Sequence, residues 1–297
     1  MGNILLTGGS GFLGKALLRN SAFKEAIVLG RTRPSGCKNF TSRSLDASTN
    51  YYDILFDIDV IVHAAARAHV MEEESSQSLN LYRDINTLAT LNLAEQASAA
   101  GVKRFVFISS VKVLGEKTDK GLRFKNSDPV NPQDPYAISK AEAEVGLKRL
   151  AAKSGMEVVI IRPPLVYGEG VKGNFEKLLK LSSLEIPLPF KSIDNKRSFV
   201  AVENLVDLIC TCMVHPRAKN EVFLISDNFD MSTPELLNLI SVCGGYKSRL
   251  FALPTWILEG LFWVLGKTPV YERVCGSMQV DIDHTMAQLD WRPPEVP

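Results

Sequence analysis

The stretch Asn3-Ile4-Leu5-Leu6-Thr7-Gly8-Gly9-Ser10-Gly11-Phe12-Leu13-Gly14 decides the fold. A short apolar run reads as a buried strand, and the pattern from Phe12 to Asn20 reads as a helix. Between them, glycines at 8, 11 and 14 let the chain turn tightly, approach a pyrophosphate closely and pack helix on strand. The helix start offers N–H groups of Phe12, Leu13 and Gly14 and a partial positive charge to a phosphate. Glycine loops also end strands for purely steric reasons. Here the position is what speaks for phosphate binding, because the loop joins strand to helix at the start of an alternating β/α pattern.

Working outward, further apolar strands follow at Ala26–Leu29, Asp59–His63, Arg104–Ser109 and Glu157–Ile161. Helices are expected over Ser78–Ala100 and Pro135–Ala152. Continuous apolar strands alternating with helices predict an α/β fold, a doubly wound parallel sheet of the Rossmann type covered on both faces. The regularity breaks after Arg162-Pro163-Pro164. A cofactor domain is therefore expected over 1–165 and a smaller mixed α/β lobe over 166–297, with segments near 195–215 returning to the first domain. In that lobe Thr233 is expected as a helix N-cap, with Pro234 at the first helical position.

The chain has 297 residues, 34 basic and 33 acidic, a formal charge of +1 and 45% hydrophobic residues. Near-neutral charge argues against nucleic-acid or anionic-membrane binding through bulk charge, so neither partner is expected. Five scattered cysteines without a CxxC pair exclude a disulfide framework and a tetrahedral zinc site. Cys210 and Cys212 read as inert thiols of a buried helix. His63, His69, His215 and His284 are too dispersed for a metal cluster, and His63 reads as a packed strand-end residue. The N-terminus enters a strand at once, without a basic leader, and a cytoplasmic location is expected. Leu253–Leu265 is too short to span a bilayer. Its Trp256, Leu258, Leu261, Phe262 and Leu265 fit an amphipathic helix serving as lobe core or dimer face, with membrane association as a second reading.

Two further features point to redox chemistry on a dinucleotide. The second strand closes on Leu29-Gly30-Arg31, with no acidic residue before Asp46. An acid there would take a ribose 2′-hydroxyl; Arg31 suits a 2′-phosphate, which favours NADP(H) over NAD(H). Tyr136 and Lys140 lie four residues apart, on one helical face. An ammonium beside a phenol is expected to lower the tyrosine pKa and fit it for proton exchange with a substrate oxygen. Ser109-Ser110, at the end of the preceding strand, can add a hydroxyl to the same oxygen.

The chain resembles the extended short-chain dehydrogenase/reductases, the NAD-dependent epimerase/dehydratase family. The resemblance rests on TGGSGFLG at 7–14, His63-Ala64-Ala65-Ala66, Asn86, FISS at 107–110, YAISK at 136–140 and RPPLVYG at 162–168. It implies that Tyr136 donates and accepts the proton. Lys140 would hold the nicotinamide ribose and tune Tyr136, and Ser110 would be the catalytic serine. It also implies Asp46 as an adenine contact and a turn at Ala64–Ala66 passing under the cofactor.

Members of this kind act mostly on nucleotide-sugars. Ser110 is followed by Val111-Lys112 rather than the acidic pair of the dehydratases, so elimination is not expected. HAAARAHVMEE at 63–73, RPPLVYGEGVKGNF at 162–175 and RSFVAVENLVDLI at 197–209 resemble the UDP-N-acetylquinovosamine dehydrogenase and UDP-glucose 4-epimerase-like branch. The likeness favours reduction of a UDP-4-keto-6-deoxy-N-acetylhexosamine at C4 in bacterial polysaccharide precursor synthesis. A UDP-glucose or UDP-N-acetylglucosamine 4-epimerase is the alternative, and a non-catalytic NAD(P)-binding regulator is a third. The resemblance implies phosphate contacts from Asn174 and Arg197, with Arg273 a further candidate; Phe190 and Lys191 are candidates to line a uracil pocket. Each of these has an alternative as surface charge or core aromatic. A homodimer is also implied.

Overall fold

A computed structural model of the chain describes residues 2–67, 75–171 and 174–294. The first strand, β1 (Ile4–Thr7), is wholly buried. It lies between β2 (Ile27–Gly30) and β4 (Val60–His63), parallel to both. Outward on one side β2 pairs with β3 (Asn39–Ser42). On the other, β4 continues to β5 (Arg104–Ile108) and β6 (Glu157–Arg162). All these pairings are parallel, as the uninterrupted apolar runs require. The polar edge strand β3, sequence NFTS, has no apolar periodicity and carries no strand signal of its own.

Alternation along each strand divides the core in two. Leu6, Val28, Val106 and Val159 face the layer holding α1 (Phe12–Arg19) and α7 (Val202–Val214). Leu5, Leu29, Phe105 and Ile160 face the other layer, with α2 (Tyr52–Leu55), α4 (Ala89–Ala99) and α5 (Pro135–Lys153).

The helix expected over Ser78–Ala100 differs from the expectation in its middle. It runs as α3 (Ser75–Tyr82), a six-residue π segment over Arg83–Leu88, and then α4. The wider turn buries Asn86 and Thr87, which is how such insertions re-aim side chains at functional sites.

The later chain is shared between two layers. β7 (Leu165–Tyr167), β8 (Arg197–Ala201) and β10 (Asp230–Met231) form a small mixed sheet in the order β10-β8-β7. Of the segment expected near 195–215 to return, β8 stays in that sheet while α7 packs on the main one. β9 (Val222–Leu224) then adds a seventh strand beside β6. α6 (Asn174–Ser183), α8 (Thr233–Gly244), α9 (Thr255–Val264) and α10 (Thr268–Cys275) build the outer lobe. α11 (Asp283–Leu289) comes back to the main layer with Trp291, whose Nε1 donates to Asp207 at 2.7 Å.

Two local expectations are corrected. The N-cap of α8 is Ser232, not Thr233: Ser232 and Glu235 form a reciprocal capping box. Thr233 is already helical, and its hydroxyl is drawn instead to the Val274 carbonyl at 2.6 Å. Cys212 is buried as expected, but Cys210 is only half-buried. Burial raises both thiols, Cys210 to about 11, so both stay protonated at neutral pH.

Candidate active site

The glycine loop sits where the carboxyl ends of β1 and β4 meet. Gly8 has φ +77°, and a Cβ there would stand 2.6 Å from Ala64 C and Ala65 N. Only glycine both adopts that backbone and lets the Ala64–Ala66 turn come so close. At Gly14 a Cβ would lie 2.1 Å from the Gly8 carbonyl oxygen, so α1 rests directly on the loop. α1 has Gly11 at its N-cap, so no side chain caps it, and no acid lies in its first turn. Its first N–H groups therefore remain open to an acceptor. Gly11 is bare on its outer side, where a Cβ would meet nothing nearer than the Gly8 oxygen at 3.2 Å. This cradle fits a diphosphate.

The remaining cofactor candidates surround it. Arg31 is exposed just beyond β2. Asp46, expected to contact adenine, has its carboxylate occupied by its own loop. It accepts from Ser48 and Thr49 backbone N–H groups at 2.9 and 2.7 Å and from both hydroxyls. Those bonds hold its pKa low, with the Thr49 hydroxyl foremost. Its backbone oxygen is tied to Asn92 at 3.0 Å. His63 is buried between Thr7 and Thr90, with hydroxyl oxygens 2.9 and 3.0 Å from its two ring nitrogens. Burial, aided by Lys140, lowers its pKa to about 3, so it is a neutral packed residue, as expected.

Helix α5 carries Tyr136 and Lys140 from a firm start. Asp134 caps it by accepting from Ala137 N at 2.6 Å, and Pro135 opens the first turn. Lys140 is buried; its Nζ donates to the Ile108 carbonyl at 2.8 Å and lies 4.4 Å over the Phe107 ring. Burial brings its pKa down to about 7, against the opposing pull of Glu144. Tyr136 stands edge-on to Tyr82, with ring centroids 6.2 Å apart.

The expected lowering of the Tyr136 pKa is reversed. The phenol is pushed up, first by burial and then by Asp134 and Tyr82. The physical reason is that desolvation acts on both partners at once. It discourages the phenolate and discharges the ammonium that was to stabilise it. Without further positive charge, the site holds a protonated tyrosine.

The two serines part ways. Ser109 is buried, and its hydroxyl donates to Glu144 at 2.5 Å. Ser110 is half-buried and caps the short turn Val111–Val113 by accepting from Lys112 N at 3.3 Å. Among the described residues its own proton is bonded to no acceptor.

Two groups, Lys112 and Asn86, support the site through contacts that the sequence did not show. Lys112 donates to Asp134 at 2.5 Å and to Glu116 at 2.8 Å, tying the loop after Ser110 to the cap of α5. Asn86 accepts from Arg67 N at 2.8 Å and donates to Arg67 O and Ser139 Oγ, linking the Ala64–Ala66 turn to α5. Asn86 was visible as a motif residue, but its bridging role needed the π segment. The Lys112 clamp joins charges 22 positions apart and had no local sign.

In the outer lobe, Arg197 at the start of β8 donates to the carbonyls of Arg273 and Gly276 at 3.2 and 2.9 Å. Burial lowers its pKa, with Glu116 the nearby opposing charge. Arg273 is exposed on α10, beside Arg197. Phe190 packs in the lobe core with Ile193, Leu237 and Leu258, the core-aromatic alternative for it; Lys191 is exposed. Asn174 opens α6, and its side chain, with residues 68–74 and 172–173, lies outside the described residues.

The profile of the NAD dependent epimerase/dehydratase family matches residues 4–226. A UDP-glucose 4-epimerase of Vibrio cholerae is 46% identical over 99% of this chain and 91% of its own length. Among solved structures, MoeE5 in complex with UDP-glucose and NAD superimposes with a TM-score of 0.79 at 23% identity, covering 99% of this chain and 94% of that one. A UDP-glucose 4-epimerase of Thermotoga maritima with UDP-glucose gives 0.76 at 21% identity, covering 99% and 94%.

Proposed function

The chain belongs to the NAD dependent epimerase/dehydratase family, and from that premise we propose that it inverts C4 of a UDP-hexose or UDP-N-acetylhexosamine. The observation that carries this reading is the 46% identity to a UDP-glucose 4-epimerase along almost the whole chain. The arrangement of Ser110, Tyr136 and Lys140 supports it. Reduction of a UDP-4-keto sugar, preferred from the sequence motifs, needs the same three groups.

The cradle of Gly8, Gly11, Phe12, Leu13 and Gly14 would hold the dinucleotide diphosphate, with Ala64–Ala66 beneath it and Lys140 on the nicotinamide ribose. Bound there, the dinucleotide supplies a hydride acceptor and, when oxidised, positive charge. Tyr136 exchanges a proton with the C4 oxygen, and Ser110 donates a hydrogen bond to that same oxygen. The high pKa of the free phenol fits a group that keeps its proton until added positive charge lowers it. Arg197 and Arg273 would meet the sugar-nucleotide diphosphate as bidentate partners, with Asn174 beside them. Phe190 would back that site from the core. Arg31 supports NADP(H) over NAD(H); Asp46 would shape the adenine end through its loop. In domain terms, 1–165 would serve mainly the cofactor and 166–297 mainly the sugar nucleotide.

The deciding experiment incubates the purified protein with UDP-glucose and with UDP-N-acetylglucosamine and analyses the products by NMR. Interconversion of C4 epimers without net cofactor consumption supports the proposal. Consumption of NAD(P)H only in the presence of a UDP-4-keto sugar, with no epimer formed, replaces it by the reductase reading.

A further inference from the structure

Ser110 and Tyr136 have to meet on one substrate oxygen, yet they come from different parts of the chain. Ser110 opens the short turn Val111–Val113 beyond β5, and Tyr136 stands in the first turn of α5. Lys112 touches both parts. Its backbone N–H donates to Ser110 Oγ at 3.3 Å, and its Nζ donates to Asp134 Oδ2 at 2.5 Å, two residues before Tyr136. The other oxygen of that carboxylate, Oδ1, accepts from Ala137 N at 2.6 Å and so fixes the start of α5. Glu116 holds the same ammonium at 2.8 Å. Gly115 turns the chain between them at φ +149°, a conformation open mainly to glycine. Lys112, Asp134 and Glu116 are 30%, 32% and 27% exposed, so salt and solvent screen the clamp only in part. Burial works against the ammonium, but Asp134 and Glu116 outweigh it and raise the Lys112 pKa, so the clamp is charged at neutral pH.

We propose that Lys112 is a positioning residue for the reaction, holding the Ser110 hydroxyl and the Tyr136 phenol at the spacing where both address one substrate oxygen. This role rests on the C4 chemistry proposed above. The competing role is that of an ordinary ion pair serving fold stability, and the surroundings speak against it. The turn is anchored without the clamp: Val111, Val113 and Leu114 are buried in one apolar cluster with Ala141 of α5. Val111 N donates to the Pro163 carbonyl at 3.0 Å, and Asn131 N donates to the Val113 carbonyl at 2.8 Å. α5 keeps its Asp134 cap whether or not an ammonium is bound to the second oxygen. The apolar cluster grips α5 at Ala141, more than one turn beyond Tyr136, whereas the clamp grips the very start of the helix. Two attachments along α5 fix the direction of the turn, where one would let it pivot. Direction is what the Ser110 hydroxyl needs, because hydrogen bonds weaken steeply as they depart from linearity.

The test compares K112M, K112R, D134N and K112M/D134N with the unaltered chain, using UDP-glucose, UDP-N-acetylglucosamine and a UDP-4-keto sugar as substrates. K112M should lower kcat on the order of a hundredfold, the cost of about an ångström of misplacement. Its KM for the sugar nucleotide and its calorimetric affinity for the dinucleotide should stay within a few-fold. K112R restores a cation between the two carboxylates and should recover most of kcat. Asn caps a helix as well as Asp does, so D134N removes only the charge facing Lys112. It should show the same split between kcat and KM. The double variant should be no slower than K112M, because both changes break one link. Normal kcat in K112M overturns the proposal, as does a raised KM with kcat kept, which would make Lys112 a substrate ligand. A loss that K112R fails to restore, or losses that multiply in the double variant, also overturn it. An unaltered chain that turns over none of the substrates overturns the C4 reading itself, and this role with it.

Discussion

Arg162 closes a two-pronged ion pair on Glu144, with Nε 3.0 Å from Oε1 and Nη2 2.5 Å from Oε2. Both side chains are 2% exposed, and Glu144 lies one helical turn beyond Lys140. The pair fastens α5 to β6, and Ser109, just past the end of β5, binds the same carboxylate. A buried carboxylate meeting a guanidinium and a hydroxyl is satisfied, and removal of one partner leaves an uncompensated charge.

Glu144→Gln is therefore expected to cost about 3–5 kcal/mol of stability, measured by urea unfolding. The double variant Glu144→Gln/Arg162→Met removes both charges and should recover most of that loss. A double variant as unstable as the single one would show that the pair acts through shape alone.

The serines predict opposite phenotypes. Ser110→Ala should lower kcat on the order of a hundredfold, as loss of one donor to a reacting oxygen does, with little change in melting temperature. Ser109→Ala leaves Glu144 short of a hydrogen bond and should cost about 1–3 kcal/mol of stability, with kcat largely kept. The pairing of steady-state kinetics with thermal unfolding separates them.

Tyr136→Phe keeps the ring beside Tyr82 and removes the proton. Turnover should fall by roughly 10²–10⁴ while dinucleotide affinity, followed by calorimetry, stays within a few-fold. Near-normal turnover would take Tyr136 out of the reaction.

Gly8→Ala places a Cβ against the Ala64–Ala65 backbone at a φ of +77°. The left-handed backbone alone costs about 1–2 kcal/mol, and the collision forces the turn away from the loop. Loss of dinucleotide binding together with a lower melting temperature is expected; unchanged calorimetric affinity would contradict the proposed cradle.

His63 sets a pH dependence of stability. Its pKa is about 3 in the folded chain against the ordinary 6.5. The unfolded chain therefore binds the extra proton between those values, and stability falls as pH drops from about 6.5 to 3. Unfolding free energies over that window should show this slope, reduced by about one proton in His63→Gln. Identical slopes would mean that His63 titrates normally.

How much was legible differs from residue to residue. The glycine loop, the buried parallel strands and the Tyr136/Lys140 spacing are local patterns, and backbone geometry turns them into structure almost one for one. The polar edge strand β3 was not legible, because hydrogen bonds to β2 make it a strand while its side chains do not. Nor was the choice between Ser109 and Ser110, which depends on where a carboxylate 34 and 35 positions away comes to rest.

The sequence by itself determined the alternation of the main sheet, the glycine loop between β1 and α1 and the helical face that presents Tyr136 and Lys140. Each follows from φ/ψ preferences and periodicity within a few residues. Tertiary structure alone decided the ionisation of that face, the clamp of Lys112 on Asp134 and Glu116, and the exposure of Trp256 and Trp263. Desolvation and charge pairing depend on what distant segments bring near a group, and no spacing along the chain encodes that distance.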